Sequence, residues 1–296
     1  MARGLFVGLT TVDLFNIVDH HPSPNQKLMA QRQDVCAGGP AANAAVAFCA
    51  CGNEADLFTG IGHHSTAHIA LEDLQNHRVN VLDQATSPDE LPVLSSIIID
   101  SSTGNRCVVY SNTEPHTLAP DQPYDQFVGR YKVVLFDGFY LEHAVSIAKT
   151  VQGDPFTVLD GGSWKEGLEE LLPYIDYAVC SADFSAPGCS SSDDLFAYLE
   201  DVGVKGAAIT RGAEPIRYRT RGHQGQIPVT QVQAIDTLGA GDILHGIFCH
   251  HILTSSFPKS LDMAAYSASH SCLFYGTREW INANHFQDQT NEIRKK

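Results

Sequence analysis

The chain has 296 residues, 43% of them hydrophobic, with 34 Asp and Glu against 19 Lys and Arg, a formal charge of −15. A field of that sign repels phosphate-rich polymers and anionic lipid surfaces, so neither nucleic acid nor membrane is an expected partner. A small anionic ligand would instead depend on local N–H groups and on its own metal ion.

Leu5–Leu9 reads as a first buried strand, with Thr10-Thr11-Val12-Asp13 at its C-terminal end. No small-residue cleavage site follows this apolar start, and no apolar run reaches the roughly 18 residues of a membrane span, so a cytoplasmic chain is expected. Ligands of open α/β sheets gather at strand C-ends, which makes Asp13 either a ligand-gripping group or a turn-forming Asp bonded to nearby amides. Residues 14–36 and 91–112 read as extended segments that interrupt the alternation of strand and helix, with Ser101–Asn105 as a hairpin turn. Between them, Gly38-Gly39 opens a helix to Cys51 that is apolar nearly all round and should be buried. Asn43 lies on its first turn, where an amide side chain can donate to and accept from a hydroxyl.

Strand and helix then alternate: a strand at Ala55–Thr59, a helix at Ser65–His77 capped by Ser65, and a strand at Val79–Leu82. Val133–Phe136, Phe156–Leu159, Ala178–Cys180 and Ala207–Ile209 are further short apolar strands, with helices near Leu141–Val151 and Asp193–Asp201. This pattern implies a mainly parallel sheet with helices on both faces. No linker or repeat divides residues 1–296, so one α/β domain with a small β lid is expected. The eight Cys are scattered with no Cys-x-x-Cys pair, as reduced buried thiols would be. His63-His64 with His68, and His250-His251, lack Cys or carboxylate partners at ligand spacing, so no structural metal is expected.

Ile235-Asp236-Thr237-Leu238-Gly239-Ala240-Gly241-Asp242 reads as a strand end, a turn of small residues and a helix to about Leu253. Gly239, Ala240 and Gly241 leave backbone N–H groups bare at a helix start, a site for an anion. Asp242 in the first turn either stabilises the helix or acts at the pocket rim. Phosphoryl transfer needs such a pair, with amides for the moving charge and a carboxylate for the proton of the attacking hydroxyl.

Asp236–Asp242 resembles the C-terminal signature of the ribokinase-like (PfkB) carbohydrate kinases, and Gly38-Gly39-Pro40-Ala41-Ala42-Asn43 resembles their N-terminal Gly-Gly-x-x-x-Asn signature. The resemblance spans nearly the whole chain. It implies the ribokinase-like three-layer fold, ATP and Mg2+ as cofactors, and Asp242 as base with the Gly239–Gly241 amides as anion hole. Asp13, Gly38, Gly39 and Asn43 would hold the sugar. The segments 14–36 and 91–112 would form its lid, which often makes a dimer contact in the family. Thr210-Arg211-Gly212 is similar to the turn that borders the nucleotide. Asp236 and the loop near Gly276 match positions that bind a monovalent cation, K+, in some relatives. Two departures stand out. His63-His64 replaces an acidic pair, and Ser181-Ala182-Asp183-Phe184 stands where Asn-x-x-Glu is usual, leaving Ser181 and Asp183 as nucleotide contacts. The second departure resembles the ketohexokinase and sulfofructose kinase branches, and Gly38–Ala47 and the run Asp242–Gly246 resemble the sulfofructose kinase branch.

Lys27 in the first lid segment either meets an anionic substrate group or is a solvated edge charge. Asp137-Gly138-Phe139-Tyr140 offers no Arg to a sulfonate or phosphate, so a neutral ketose or aldose such as fructose or ribose is the first choice. A nucleoside stacked on lid aromatics is the alternative. From another class, a silent sugar- or nucleotide-binding regulator would fit the altered Ser181–Phe184 motif but not the intact Gly-Ala-Gly-Asp turn.

Overall fold

The computed structural model describes residues 1–87, 89–111, 116–120 and 123–283. The chain opens with β1 (Arg3–Val7), β2 (Thr11–Val18), β3 (Arg32–Gly38), helix α1 (Pro40–Ala50), β4 (Glu54–Thr59), α2 (Ala67–Asn76), β5 (Val79–Asp83), and the pair β6 (Leu94–Asp100) and β7 (Arg106–Tyr110). It continues through β8 (Val133–Phe136), α3 (Leu141–Thr150), β9 (Phe156–Gly161), the single turn α4 (Leu168–Leu171), β10 (Tyr177–Ser181), α5 (Ser192–Asp201) and β11 (Gly206–Arg211). A hairpin of β12 (Glu214–Thr220) and β13 (His223–Ile227) precedes α6 (Ala240–His251) and α7 (Phe257–Ser271).

Nine strands form one sheet in the order β13-β12-β11-β10-β9-β8-β1-β4-β5, and β3-β2-β6-β7 form a second, smaller sheet. From β11 to β5 all neighbours in the large sheet are parallel, while β12 and β13 add an antiparallel edge. Side chains alternate across it with the period of two that a strand imposes. Phe6, Leu57, Leu135, Val179 and Ala208 belong to one core with α1, α2, α6 and α7. Leu5, Phe58, Phe136, Cys180 and Ile209 belong to a second core with α3, α4 and α5. The result is the three-layer arrangement expected from the alternating apolar runs.

Two close approaches set the geometry of the cleft. Gly246 of α6 lies against α1, where a Cβ would stand 2.2 Å from the Ala44 carbonyl and 2.7 Å from the Ala47 methyl. Small residues on both helices let their axes converge, and that convergence faces the first turn of α1 toward the first turn of α6. The second is at Asp137, whose carboxylate accepts from the Leu9 amide (2.8 Å), the Ala41 amide (3.2 Å) and the Phe139 amide (3.0 Å). It joins the end of β1, the start of α1 and the end of β8. A Cβ at Gly8 would sit 2.1 Å from that carboxylate, so Gly8 keeps the space open. Burial pushes the Asp137 carboxyl up to about 6, against its amide bonds and the Lys165 charge.

Several details differ from expectation. The first strand ends at Val7, and Thr11–Asp13 open β2 of the small sheet instead, so that sheet reaches further toward the cleft than residues 14–36 imply. Ser65 does not cap α2, whose first helical residue follows Thr66 and has no side-chain cap bond. Ile235–Asp236 is not a strand end: among the described residues it has no sheet partner, and both amides donate to the Cys272 carbonyl at 2.8 and 3.3 Å. The β12–β13 hairpin escaped the pattern because only Ile216 and Ile227 of its twelve residues are buried. None of the eight Cys is in a disulfide, and six of them are buried.

Candidate active site

The two glycine-bearing corners of the sequence meet. Asn43, on the first turn of α1, donates its side-chain amide to Asp242 Oδ2 at 2.8 Å, across 199 residues of chain. Gly39 precedes α1 with φ +95, and a Cβ there would strike the Leu9 carbonyl at 2.3 Å, so both conformation and space demand glycine. Gly239 precedes α6 at φ +68; its missing Cβ would lie 2.5 Å from Thr277 Cγ2 and 3.7 Å from Asn43 Nδ2. Gly241 has open space where a side chain would be, while the Ala240 amide at this helix start donates to the Thr237 carbonyl at 3.4 Å.

Asp13 enters from the small sheet. It sits opposite Cys36 of β3 and Ser95 of β6 in the strand registers, and its Oδ1 accepts from Thr11 Oγ1 at 2.6 Å. A Cβ on Gly38 would stand 2.0 Å from Asp13 Oδ2. Burial raises the Asp13 carboxyl above its ordinary range, opposed by hydrogen bonds from Thr11 and Ser95 and by the Arg278 charge.

Asp242 is the most perturbed acid of the cleft. Its carboxyl is pushed up to about 7, first by burial and then by the Asp160 charge, with Asp13 adding to the rise. The Asn43 hydrogen bond and the charge on His245 pull the other way. Part of its surface stays open to water. A carboxyl that changes charge near neutrality, in the first turn of a helix, can take a proton from a hydroxyl while helix-start amides hold an adjacent anion.

The residues expected to border a nucleotide form a separate cluster at the C-terminal ends of β10 and β11. Ser181 and Thr210 are register partners there. Ser181 Oγ donates to the Gly162 carbonyl at 2.7 Å and accepts from the Asp183 amide at 3.1 Å. Thr210 Oγ1 reaches the Cys180 carbonyl at 3.3 Å, and Gly212 makes the following turn at φ +58. Arg211 turns aside, its guanidinium donating to Ser192 Oγ at 2.9 Å. Phe184 is buried against Trp164 at a ring separation of 5.6 Å. Where the family resemblance leads to the expectation of a carboxylate, this chain has packed an aromatic side chain into its core, and Asp183 remains exposed.

Arg278 carries no sequence signal of its own, yet it organises the corner around Asn43. Its guanidinium donates to Asn43 Oδ1 (2.9 Å), to the Ala37 carbonyl (2.9 Å) and to Asp73 Oδ2 (2.9 and 3.1 Å). With its oxygen held by Arg278, the Asn43 amide has only its NH2 to offer Asp242, which fixes the orientation of the pair. Asp236 also acts through backbone: it accepts from the Leu238 amide (2.9 Å) and the Gly276 amide (2.8 Å). It thereby ties the turn before α6 to the loop that carries Arg278.

The pfkB family carbohydrate kinase profile matches residues 1–283. A deoxyribokinase of Salmonella typhi is 24% identical over 300 residues, covering 89% of this chain and 91% of the relative. A ribokinase of Staphylococcus aureus is 24% identical over 259 residues, 82% and 84% of the two chains. Among solved structures, an Agrobacterium tumefaciens protein provisionally called a ribokinase superposes with a TM-score of 0.85 at 23% identity, covering 100% of this chain and 99% of the other. At that identity the superposition carries the fold alone.

Proposed function

Because the chain belongs to the pfkB family of carbohydrate kinases and is an ATP-dependent sugar kinase, we propose that it transfers the γ-phosphoryl group to a hydroxyl of a neutral ribose-like sugar. The single observation that carries this reading is the Asn43–Asp242 hydrogen bond at 2.8 Å, beside the bare start of α6. Asp13, Gly38, Gly39 and Asn43 line the sugar side. Asp13 and Asn43 offer acceptors and donors to vicinal hydroxyls, and the glycines let the ring approach the backbone. Asp242 keeps Oδ1 free of the Asn43 bond and takes the proton of the attacking hydroxyl. The first-turn amides of Gly239–Gly241 stand where charge develops on the moving group.

ATP lies along the C-terminal ends of β10 and β11, with Ser181, Asp183, Thr210, Arg211 and Gly212 as its borders. Magnesium arriving on the nucleotide supplies neutralisation of the β- and γ-phosphate oxygens. With Phe184 buried in the core, the ion is held through the phosphates and not by a side chain of the usual Asn-x-x-Glu kind. A potassium ion near Asp236 would meet a carboxylate already bonded to two amides; equal rates in sodium and potassium salts would discard that site. The small sheet closes over the sugar and excludes water that would otherwise accept the phosphoryl group. Its edge strand β7 exposes Val108, Val109 and Tyr110, which supports a homodimer through the lid. Among the described residues no helix is long and apolar enough to cross a membrane, in keeping with a cytoplasmic kinase.

The test is ADP release with a panel of ribose, deoxyribose, fructose and nucleosides. A pentose should give the highest kcat/KM. A nucleoside leading the panel would move the assignment to a nucleoside kinase, and no ATP consumption with any acceptor would favour a silent binder.

A further inference from the structure

One buried pair behind the cleft has no part in the scheme above. His245 lies one turn beyond Asp242 on α6 and is 6% exposed. Its Nδ1 stands 2.7 Å from the Gly241 carbonyl and its Nε2 stands 2.9 Å from the Val179 carbonyl of β10. A carbonyl oxygen has no proton to give, so each contact is a hydrogen bond only if the ring nitrogen donates. Both nitrogens then carry hydrogen. A neutral imidazole would leave one lone pair facing a carbonyl oxygen in a buried site, which is repulsive and unsatisfied.

The counter-charge is present. Asp160, at the end of β9, is also 6% exposed, and its Oδ2 lies at ion-pair distance, 3.3 Å, from His245 Nδ1 and accepts no hydrogen bond among the described residues. A buried carboxylate oxygen without a donor is costly unless a cation stands beside it. The imidazolium supplies that cation, and Asp160 supplies the reason for the ring to stay charged.

We propose that His245 is a doubly protonated imidazolium, a positioning residue that pins the Gly241 carbonyl to the main sheet through Val179 and, balanced against Asp160, governs the ionisation of Asp242. The charges that face Asp242 come from four elements: Asp160 on β9, His245 on α6, Asp13 on β2, and Arg278 after α7 through Asn43. Of these, His245 and Asp160 oppose each other. Removing either should shift the protonation of Asp242, and removing both should nearly cancel. The inference rests on the sugar-kinase reading for its kinetic consequence only, since the protonation of the ring can be read without turnover.

The experiment has two arms. In 15N-labelled protein, long-range 1H–15N spectra at pH 7.5, with the His245 ring assigned by through-bond correlation to its own backbone resonances, should show both ring nitrogens protonated. In the second arm, the acid limb of the kcat–pH profile is measured for wild type, His245→Asn, Asp160→Asn and the double variant. Loss of the cation should move the limb upward by about one pH unit, and loss of the anion should move it downward by a similar amount. The double variant should return close to the wild-type profile. A purely structural role would lower kcat without moving the limb in opposite directions. A single unprotonated nitrogen on His245 overturns the proposal even if the variants fail to fold. So does an acid limb unmoved in both folded single variants. If no acceptor is phosphorylated, the kinase reading fails while the spectra still decide the charge on the ring.

Discussion

Replacing Asp242 by Asn preserves the side chain's shape and its contact with Asn43 while removing a charge that the fold holds at a cost. A carboxyl raised from 3.8 to about 7 corresponds to at most about 4 kcal/mol of destabilisation of the ionised form. Asp242 keeps part of its surface in water, so screening should reduce this to about 2 kcal/mol. The sign follows from which state binds the proton more tightly. The folded-state value lies above the unfolded one, so this group opposes folding progressively as pH rises from near 3.8 to about 7, and by a constant amount above that. Asp242→Asn should therefore match wild type near pH 4 and exceed it by about 2 kcal/mol at pH 8. Urea unfolding of both proteins without nucleotide, at pH 4.5 and pH 8, measures the difference. Equal stability at both pH values, or a variant weaker than wild type at pH 8, would refute the reasoning.

Three further substitutions probe the supports of the cleft. Gly38→Ala sets a methyl 2.0 Å from Asp13 Oδ2 and should displace that carboxylate, raising the sugar KM about tenfold or more while the ATP KM holds, as steady-state kinetics would show. Arg278→Met takes the guanidinium from Asp73, which keeps the Ala37 amide and the His77 ring, and frees the Asn43 amide to rotate. It should cost about 2 kcal/mol in denaturant unfolding and lower kcat as well. Phe184→Glu restores a carboxylate to the altered motif but buries it against Trp164. The expected result is a loss of about 3 kcal/mol or more in unfolding experiments and no gain in turnover.

What the sequence makes legible is what backbone and local pattern determine. Short apolar runs separated by helices announce a parallel sheet, and the Gly-Gly and Gly-Ala-Gly turns announce bare helix starts because few other residues tolerate those conformations. The β12–β13 hairpin is hidden for the converse reason: an edge pair with two buried residues leaves almost no hydrophobic period to read. Arg278, Asp160 and His245 are hidden for a different reason. Each works through partners tens or hundreds of residues away, as Arg278 does with Asn43 across 235 residues, and nothing in its neighbours forecasts that contact. Phe184 shows the limit of motif matching. The departure is visible in one dimension, but its physical meaning, a side chain moved into the core beside Trp164, needs the fold.

Phosphoryl transfer in this cleft requires that the Asp242 carboxylate take the proton of the acceptor hydroxyl. Single-turnover phosphorylation of the best sugar by Asp242→Asn, with ATP affinity measured in parallel by calorimetry, tests that most directly. Transfer should slow by about 10²–10⁴-fold, the usual size of a general-base contribution, while ATP binds as in wild type. Transfer within a few-fold of wild type would take Asp242 out of the chemistry.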